Sequence, residues 1–153
     1  LPVASMLPTL ANAYPQYQHR RIQDLCQKMH DFYRKHQLNV LLQQMFQRED
    51  LPAVSMDPHR AHDAYIRNQI ELVPLSEIEG RIAVEGALPY PPGVLCIVPG
   101  EVWGGATLQY FRALEEGVNE LPGFEPEIQG VYWERDANGR KYATAYVLKN
   151  NQI

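Results

Sequence analysis

A chain of 153 residues is one domain-sized unit, long enough to bury roughly 70% of its unfolded surface. Hydrophobic residues at 45% and charged residues at 21% are ordinary globular values and exclude disorder as the default. The 14 basic and 18 acidic residues give a net charge of -4 with no basic block, which argues against nucleic acid, because a phosphate backbone needs clustered Lys and Arg.

The two cysteines, Cys26 and Cys96, stand far apart in helical and strand-like contexts and read as two buried free thiols. Free thiols fit a reducing cytosol. There is no signal-peptide pattern, and no apolar run approaches the ~18 residues of a membrane span, so the expectation is a cytoplasmic chain without membrane contact. The chain opens on Leu1-Pro2-Val3 without an initiator Met, as a piece of a longer polypeptide would, and as processing would also leave it.

Residues 1–15 carry Pro2, Pro8 and Pro15 among small and apolar residues and read as an ordered leading segment. From Gln16 to Lys35 the spacing predicts a helix: Ile22, Leu25, Met29, Phe32 and Tyr33 recur at helical steps, with Cys26 on the same face. A second helix is expected over Val40 to Gln47, with Asn39 as cap and Leu41, Leu42, Met45 and Phe46 inward. A third begins at Asp57-Pro58, cap and first helical position, and runs to about Asn68. Ile70 to Val73 reads as a short strand. Ser76 with Glu79 forms a capping box for a helix to about Glu85, with Ile78 and Ile82 inward.

The texture then changes. Pro89-Tyr90-Pro91-Pro92-Gly93 is neither helix nor central strand, because three prolines remove donors and fix φ. Val94 to Val98 is a short apolar run expected as a buried strand, ended by Pro99-Gly100-Glu101. Leu108, Phe111, Leu114 and Val118 mark another helix, stopped by Pro122-Gly123. Ile128–Glu134 and Lys141–Lys149 read as a β-hairpin joined by Asp136-Ala137-Asn138-Gly139. The expected fold class is α+β, a single domain of several helices followed by short strands and a C-terminal β-hairpin.

No Gly-rich phosphate loop, cysteine pair at metal spacing or nucleophile elbow is present. Gly104-Gly105 before a helix offers backbone donors to an anion, or is simple turn geometry. His59, His62 and Asp63 are the one tight cluster of potential ligands, and such a group early in a polar helix also reads as a solvated surface. The segment from Pro89 to Trp103 is more specific. It carries a rigid proline turn and then Glu101 and Trp103 on a glycine-flanked loop, where binding residues tend to lie. A carboxylate beside an indole is a receptor for an ammonium group. The opposing reading has Trp103 filling the core and Glu101 meeting solvent, an arginine or nearby backbone donors.

Gly80-Arg81-Ile82-Ala83-Val84-Glu85-Gly86-Ala87-Leu88 running into that proline turn, followed by Pro99-Gly100-Glu101, resembles the C-terminal domain of the bacterial ornithine/lysine/arginine decarboxylases. Asp24 to His30 looks like the first long helix of that domain, and Leu121-Pro122-Gly123-Phe124-Glu125 with Gln129-Gly130-Val131-Tyr132 looks like its run into the terminal hairpin. Glu85-Gly86-Ala87-Leu88 and Val102-Trp103-Gly104-Gly105 are most similar to the ornithine-using branch.

The resemblance implies a pyridoxal phosphate enzyme whose cofactor is held by a lysine of a large catalytic domain and acts as the electron sink for loss of CO2. None of Lys28, Lys35, Lys141 and Lys149 follows the family's Ser-x-His pattern for that lysine, and no Asp is placed to pair with the pyridine nitrogen. The implied product is putrescine, for polyamine biosynthesis. The implied partners are the catalytic domain, further copies in a homo-oligomer and a small cationic amino acid. The domain covers one side of the active-site entrance, with Glu101, Trp103 and Tyr90 as substrate-channel residues, no catalytic residue, no metal and no cofactor of its own. The competing readings are a stand-alone binding or assembly module, and the same domain from a lysine or arginine decarboxylase. A domain of this kind is also expected to leave an apolar surface for its neighbour, with Tyr90, Trp103, Tyr132 and Trp133 as its members.

Overall fold

The computed structural model describes residues 1–91 and 93–150, so Pro92 of the proline turn lies outside the described residues. Its helices are α1 (Val3–Met6), α2 (Pro8–Ala13), α3 (Ile22–Lys35), α4 (Leu38–Gln44), α5 (Pro58–Ile66) and α6 (Gly105–Glu120). Its strands are β1 (Ile70–Pro74), β2 (Leu88–Tyr90), β3 (Glu127–Gln129), β4 (Tyr132–Arg135) and β5 (Lys141–Leu148). Helices early and strands late make an α+β domain, as the pattern predicts.

Two antiparallel sheets form. One has the order β1-β5-β4 and the other joins β2 to β3. In the larger sheet Val73 lies opposite Ala145, and Trp133 opposite Ala143. These residues share the inner face, which packs on α6 through Leu108 and Phe111, with Leu75, Ile78, Ile97 and Trp103 completing the main core. A second cluster joins α3 and α4 to α6 through Phe32, Leu38, Leu41, Ala113 and Leu121. The leading segment closes its own small cluster, Val3, Ala11, Tyr17 and Leu25.

Several local predictions hold. The Asp57 carboxylate accepts the His59 N–H at 2.7 Å, so the α5 cap is the expected one. The hairpin turn is closed by Asp136, whose carboxylate accepts from the Asn138 and Arg140 N–H groups at 2.8 and 3.0 Å.

Others need correction. The helix expected from Gln16 starts at Ile22, after a 3-10 turn at Pro15–Tyr17. The intervening backbone is drawn off by the chain start: Val3 N–H donates to the Arg20 carbonyl at 2.8 Å, and Ile22 N–H to Leu1 at 2.9 Å. On α3, Leu25 and Phe32 face inward while Tyr33 and Cys26 are exposed, so one of the two thiols is not buried. The next helix begins at Leu38, preceded by Gln37 in a left-handed turn with no side-chain cap, so Asn39 lies inside the helix; Leu42 is left outside, and Phe46, beyond the helix end, is exposed too.

The helix expected over 76–85 does not form. Ile78, Ile82, Ala83 and Val84 are buried, and Gly80 takes a φ of +81°, which breaks the run instead of letting it coil into a surface helix. Residues 75–80 form turns, and from Gly80 the backbone is satisfied at a distance: Gly80 N–H donates to Trp103, Ala83 N–H to Glu101, and Leu148 N–H to Ile82. Nor does Val94–Val98 form a strand. Val94 and Leu95 are exposed, and Ile97 makes only a single bridge, to Ala87.

The first arm of the expected hairpin is cut in two at Gly130. Its φ is +83°, and a Cβ there would lie 2.1 Å from the Gly86 carbonyl oxygen, so the chain turns against that backbone as only glycine can. Residues before it pair with β2, and residues after it pair with β5.

Candidate functional site

The proline turn follows from β2. In a two-stranded ribbon each strand has a free edge, so Pro89 opposite Ile128 disrupts no sheet interior. The Tyr90–Pro91 peptide bond is cis, and Gly93 N–H donates back to the Pro89 carbonyl at 3.2 Å. Tyr90 stands outward, 53% exposed.

The loop from Val98 to Trp103 is stitched on both sides. Gly100 N–H donates to the Ala83 carbonyl at 2.7 Å, while its own carbonyl accepts from Ser55 and Met56 N–H at 2.9 and 3.1 Å. A Cβ on Gly100, whose φ is +93°, would sit 2.2 Å from the Met56 oxygen. Glycine lets these two backbones touch. Val102 N–H donates to Ala53, and Trp103 N–H to Arg81.

Glu101 sits at the crest of this loop, half-buried. Its N–H donates to the Val98 carbonyl at 3.0 Å, and its Oε2 accepts the Val98 N–H at 2.8 Å. The carboxylate thus braces its own turn through one oxygen. Among the described residues Oε1 has no protein donor, and no Lys or Arg pairs with the group. Trp103 is 1% exposed, set edge-to-face on Phe111 with ring centroids 5.3 Å apart. It supports the loop from behind, and presents no ring face to solvent. Of the four aromatics expected on an outer surface, Trp103 is therefore a core residue, Trp133 is half-buried, and Tyr90 and Tyr132 are exposed. The structure brings Glu101 and Trp103 onto one loop and puts Tyr90 on a separate ribbon.

The other candidates are placed as follows. Asp63 pairs with Arg67 at 2.8 Å on α5, and no group of three ligating side chains among the described residues could hold a metal. Gly105 opens α6 with Gly104 before it. No helix among the described residues is long and apolar enough to cross a membrane.

Two features escaped the sequence reading. One is a cleft of about 290 Å³ between α3, α4 and α6, lined by Phe32, Leu38, Leu114 and Phe124 with Pro89 and Pro91 at its side. The other joins Glu85 to Tyr132, Tyr146 and Tyr65; its signal was the tyrosine-rich hairpin, obscured by placing Glu85 on a helix.

The chain's lysines do not fit the pyridoxal phosphate that the resemblance implies. Lys28 donates to the Glu120 carbonyl at 2.9 Å, Lys35 to the Glu120 carboxylate, Lys141 to Glu125 and Lys149 to the Asn68 carbonyl. Each meets a partner at or near the surface, and none lines the apolar cleft, so no lysine stands in an enclosed site that could hold the cofactor.

Comparison with known proteins fixes the class. Residues 39–149 match the family described as Orn/Lys/Arg decarboxylase, C-terminal domain, and the chain belongs to that family. It is 56% identical over 149 residues to the constitutive ornithine decarboxylase of Escherichia coli (strain K12), covering 97% of this chain and 21% of that protein. With the inducible lysine decarboxylase of the same organism the identity is 39%, over 97% of this chain and 21% of the relative. Lysine decarboxylase A from Pseudomonas aeruginosa superposes with a TM-score of 0.85 at 34% identity, covering 97% of this chain and 20% of the other. The chain therefore spans about one fifth of the length of the relatives it matches.

Proposed function

We propose that residues 1–153 form the C-terminal domain of an ornithine decarboxylase whose catalytic, cofactor-binding domain lies elsewhere in a longer polypeptide. In this reading the intact protein is cytoplasmic, uses pyridoxal phosphate, and converts ornithine to putrescine and CO2 for polyamine synthesis. The domain lines the active-site entrance and helps copies of the protein assemble. The observation that carries the reading is the similarity to an ornithine decarboxylase, well above that to a lysine decarboxylase over the same stretch of chain. Decarboxylation assays on the intact polypeptide with ornithine, lysine and arginine test it. Ornithine should give the highest kcat/KM, and a higher value for lysine or arginine overturns the assignment.

At the entrance, Glu101 and Tyr90 meet the substrate and Trp103 holds the loop. The Oε1 atom of Glu101 is the group offered to the ammonium of ornithine, while Oε2 keeps the turn. Glu101→Gln retains an acceptor for Val98 N–H and removes the charge. An exposed pairing contributes under ~1 kcal/mol, so KM for ornithine should rise by up to about fivefold with kcat little changed. An unchanged KM, whatever happens to Tm, ends the entrance role.

The chain by itself holds no pyridoxal phosphate covalently and decarboxylates nothing in this reading. Its four lysines are engaged with local partners. Incubation with pyridoxal phosphate and borohydride should leave no stoichiometric adduct. An adduct mapping to one lysine removes this part of the proposal.

A further inference from the structure

We infer that the outer face of the β1-β5-β4 sheet carries a site for a small primary alkylammonium ion, built from Glu85 and the rings of Tyr132, Tyr146 and Tyr65. This site is distinct from the Glu101 loop and does not rest on the decarboxylase reading.

The register assembles it. Directly opposed residues share a face, as do residues two apart along a strand. Leu72 lies opposite Tyr146, and Tyr132 opposite Thr144, so Leu72, Tyr146 and Tyr132 all project from the face opposite the main core. Tyr132 and Tyr146 meet with centroids 5.3 Å apart at 70°, and Tyr146 meets Tyr65 of α5 at 5.8 Å and 87°. Rings set nearly perpendicular form a corner, not a flat stack. Tyr132 is 40% exposed, Tyr65 37% and Leu72 38%, so the corner opens to solvent beside an aliphatic floor.

Glu85 closes one side. Its Oε1 and Oε2 lie 2.9 and 2.8 Å from the Tyr132 hydroxyl. One phenol proton fills little of a carboxylate's acceptor capacity. Glu85 joins no ion pair among the described residues; the nearby Arg81 is taken by Glu71 and the Leu148 carbonyl. The Tyr132 phenol is pushed up to about 12 by burial first, then by its bond to Glu85, with Tyr65 and Tyr146 adding to the push. A carboxylate with no ion-pair partner beside three π-systems attracts a cation. The aromatic walls and Leu72 select one with a short hydrocarbon tail over a hydrated metal ion.

The hairpin contains its own control. Glu134 accepts from Tyr142 at 2.6 Å further along the same face, and among the described residues no ring stacks on Tyr142.

The test is calorimetric titration of the chain with butylammonium chloride, using butanol and sodium chloride as matched blanks. Saturable 1:1 binding in the range of about 1–10 mM is expected for the amine alone. Glu85→Gln and Tyr65→Leu should each weaken it, the first by about tenfold or more, and Glu134→Gln should leave it unchanged. Unfolding of the Glu85 variant is checked by its thermal melt, and the butanol comparison removes the charge without touching the protein. No saturable binding, equal binding of butanol, or equal loss with Glu134→Gln each overturns the site.

Discussion

The main core and the leading segment hold together in different ways. In the main core, residues from Met45 to Val147 converge on one cluster, so each side chain is wedged by partners far away in the chain. The leading cluster draws Val3, Ala11, Tyr17 and Leu25 from the first 25 residues and reaches the rest of the molecule through few contacts. Chief among these are the Tyr17 hydroxyl, which donates to the Pro122 carbonyl at 2.8 Å, and the edge of Phe124, 6.0 Å from the Tyr17 ring. The lesson concerns cooperativity. A cluster built from distant segments fails as a whole, whereas a local one pinned at a few points can loosen while the rest stays folded.

The strongest test of that contrast is Phe111→Ala. Phe111 is 1% exposed and supports Trp103, which in turn backs the Glu101 loop. Its removal should cost about 3–5 kcal/mol and lower the midpoint of global unfolding in urea. A loss below about 1 kcal/mol would mean that the core relaxes around the gap and is less interlocked than its packing implies.

A smaller effect is expected from Tyr17→Phe. The ring and its contacts remain, and only the bond to Pro122 is lost, at about 1 kcal/mol. Amide exchange should speed up in residues 1–21 and remain slow in β5. Equal acceleration in both would show one cooperative unit and erase the distinction.

The mildest probe leaves stability alone. Cys26 is exposed on α3, and Cys96 is buried, its thiol pushed up to about 11 by burial. The thiolate is the reactive form, so a thiol reagent at neutral pH should label Cys26 and spare Cys96 in the native chain. Labelling of both at similar rates would indicate that the loop carrying Cys96 opens readily.

Much of this protein was legible from its residues alone. Asp57-Pro58 starts α5, the spacing of Leu108, Phe111, Leu114 and Val118 marks α6, and Asp136 to Gly139 turns the hairpin. In each case the deciding interactions lie within a few residues or along one helix face. The resemblance in Gly80–Gly93 and Pro99–Glu101 likewise led to the family. The Glu101 loop was found by composition, but which carboxylate oxygen is engaged was not, because the donor depends on how the Val98 turn closes.

Tertiary structure decided the rest, by supplying backbone partners from afar. Ser76 with Glu79 offers a sound local helix start, yet residues 80–83 exchange hydrogen bonds with Glu101, Trp103 and Leu148 while Ile78, Ile82, Ala83 and Val84 are buried. Local capping contributes about 1 kcal/mol, and several buried apolar side chains contribute more. The same competition splits the hairpin's first arm at Gly130, where a close approach to Gly86 hands one half of the strand to a different sheet. It also creates the Glu85–tyrosine corner, since these residues come from four separate segments that only the sheet register and the seating of α5 bring together. Propensity and spacing act within a helical turn or a strand pair, and a site assembled from distant segments exists only once the chain has folded.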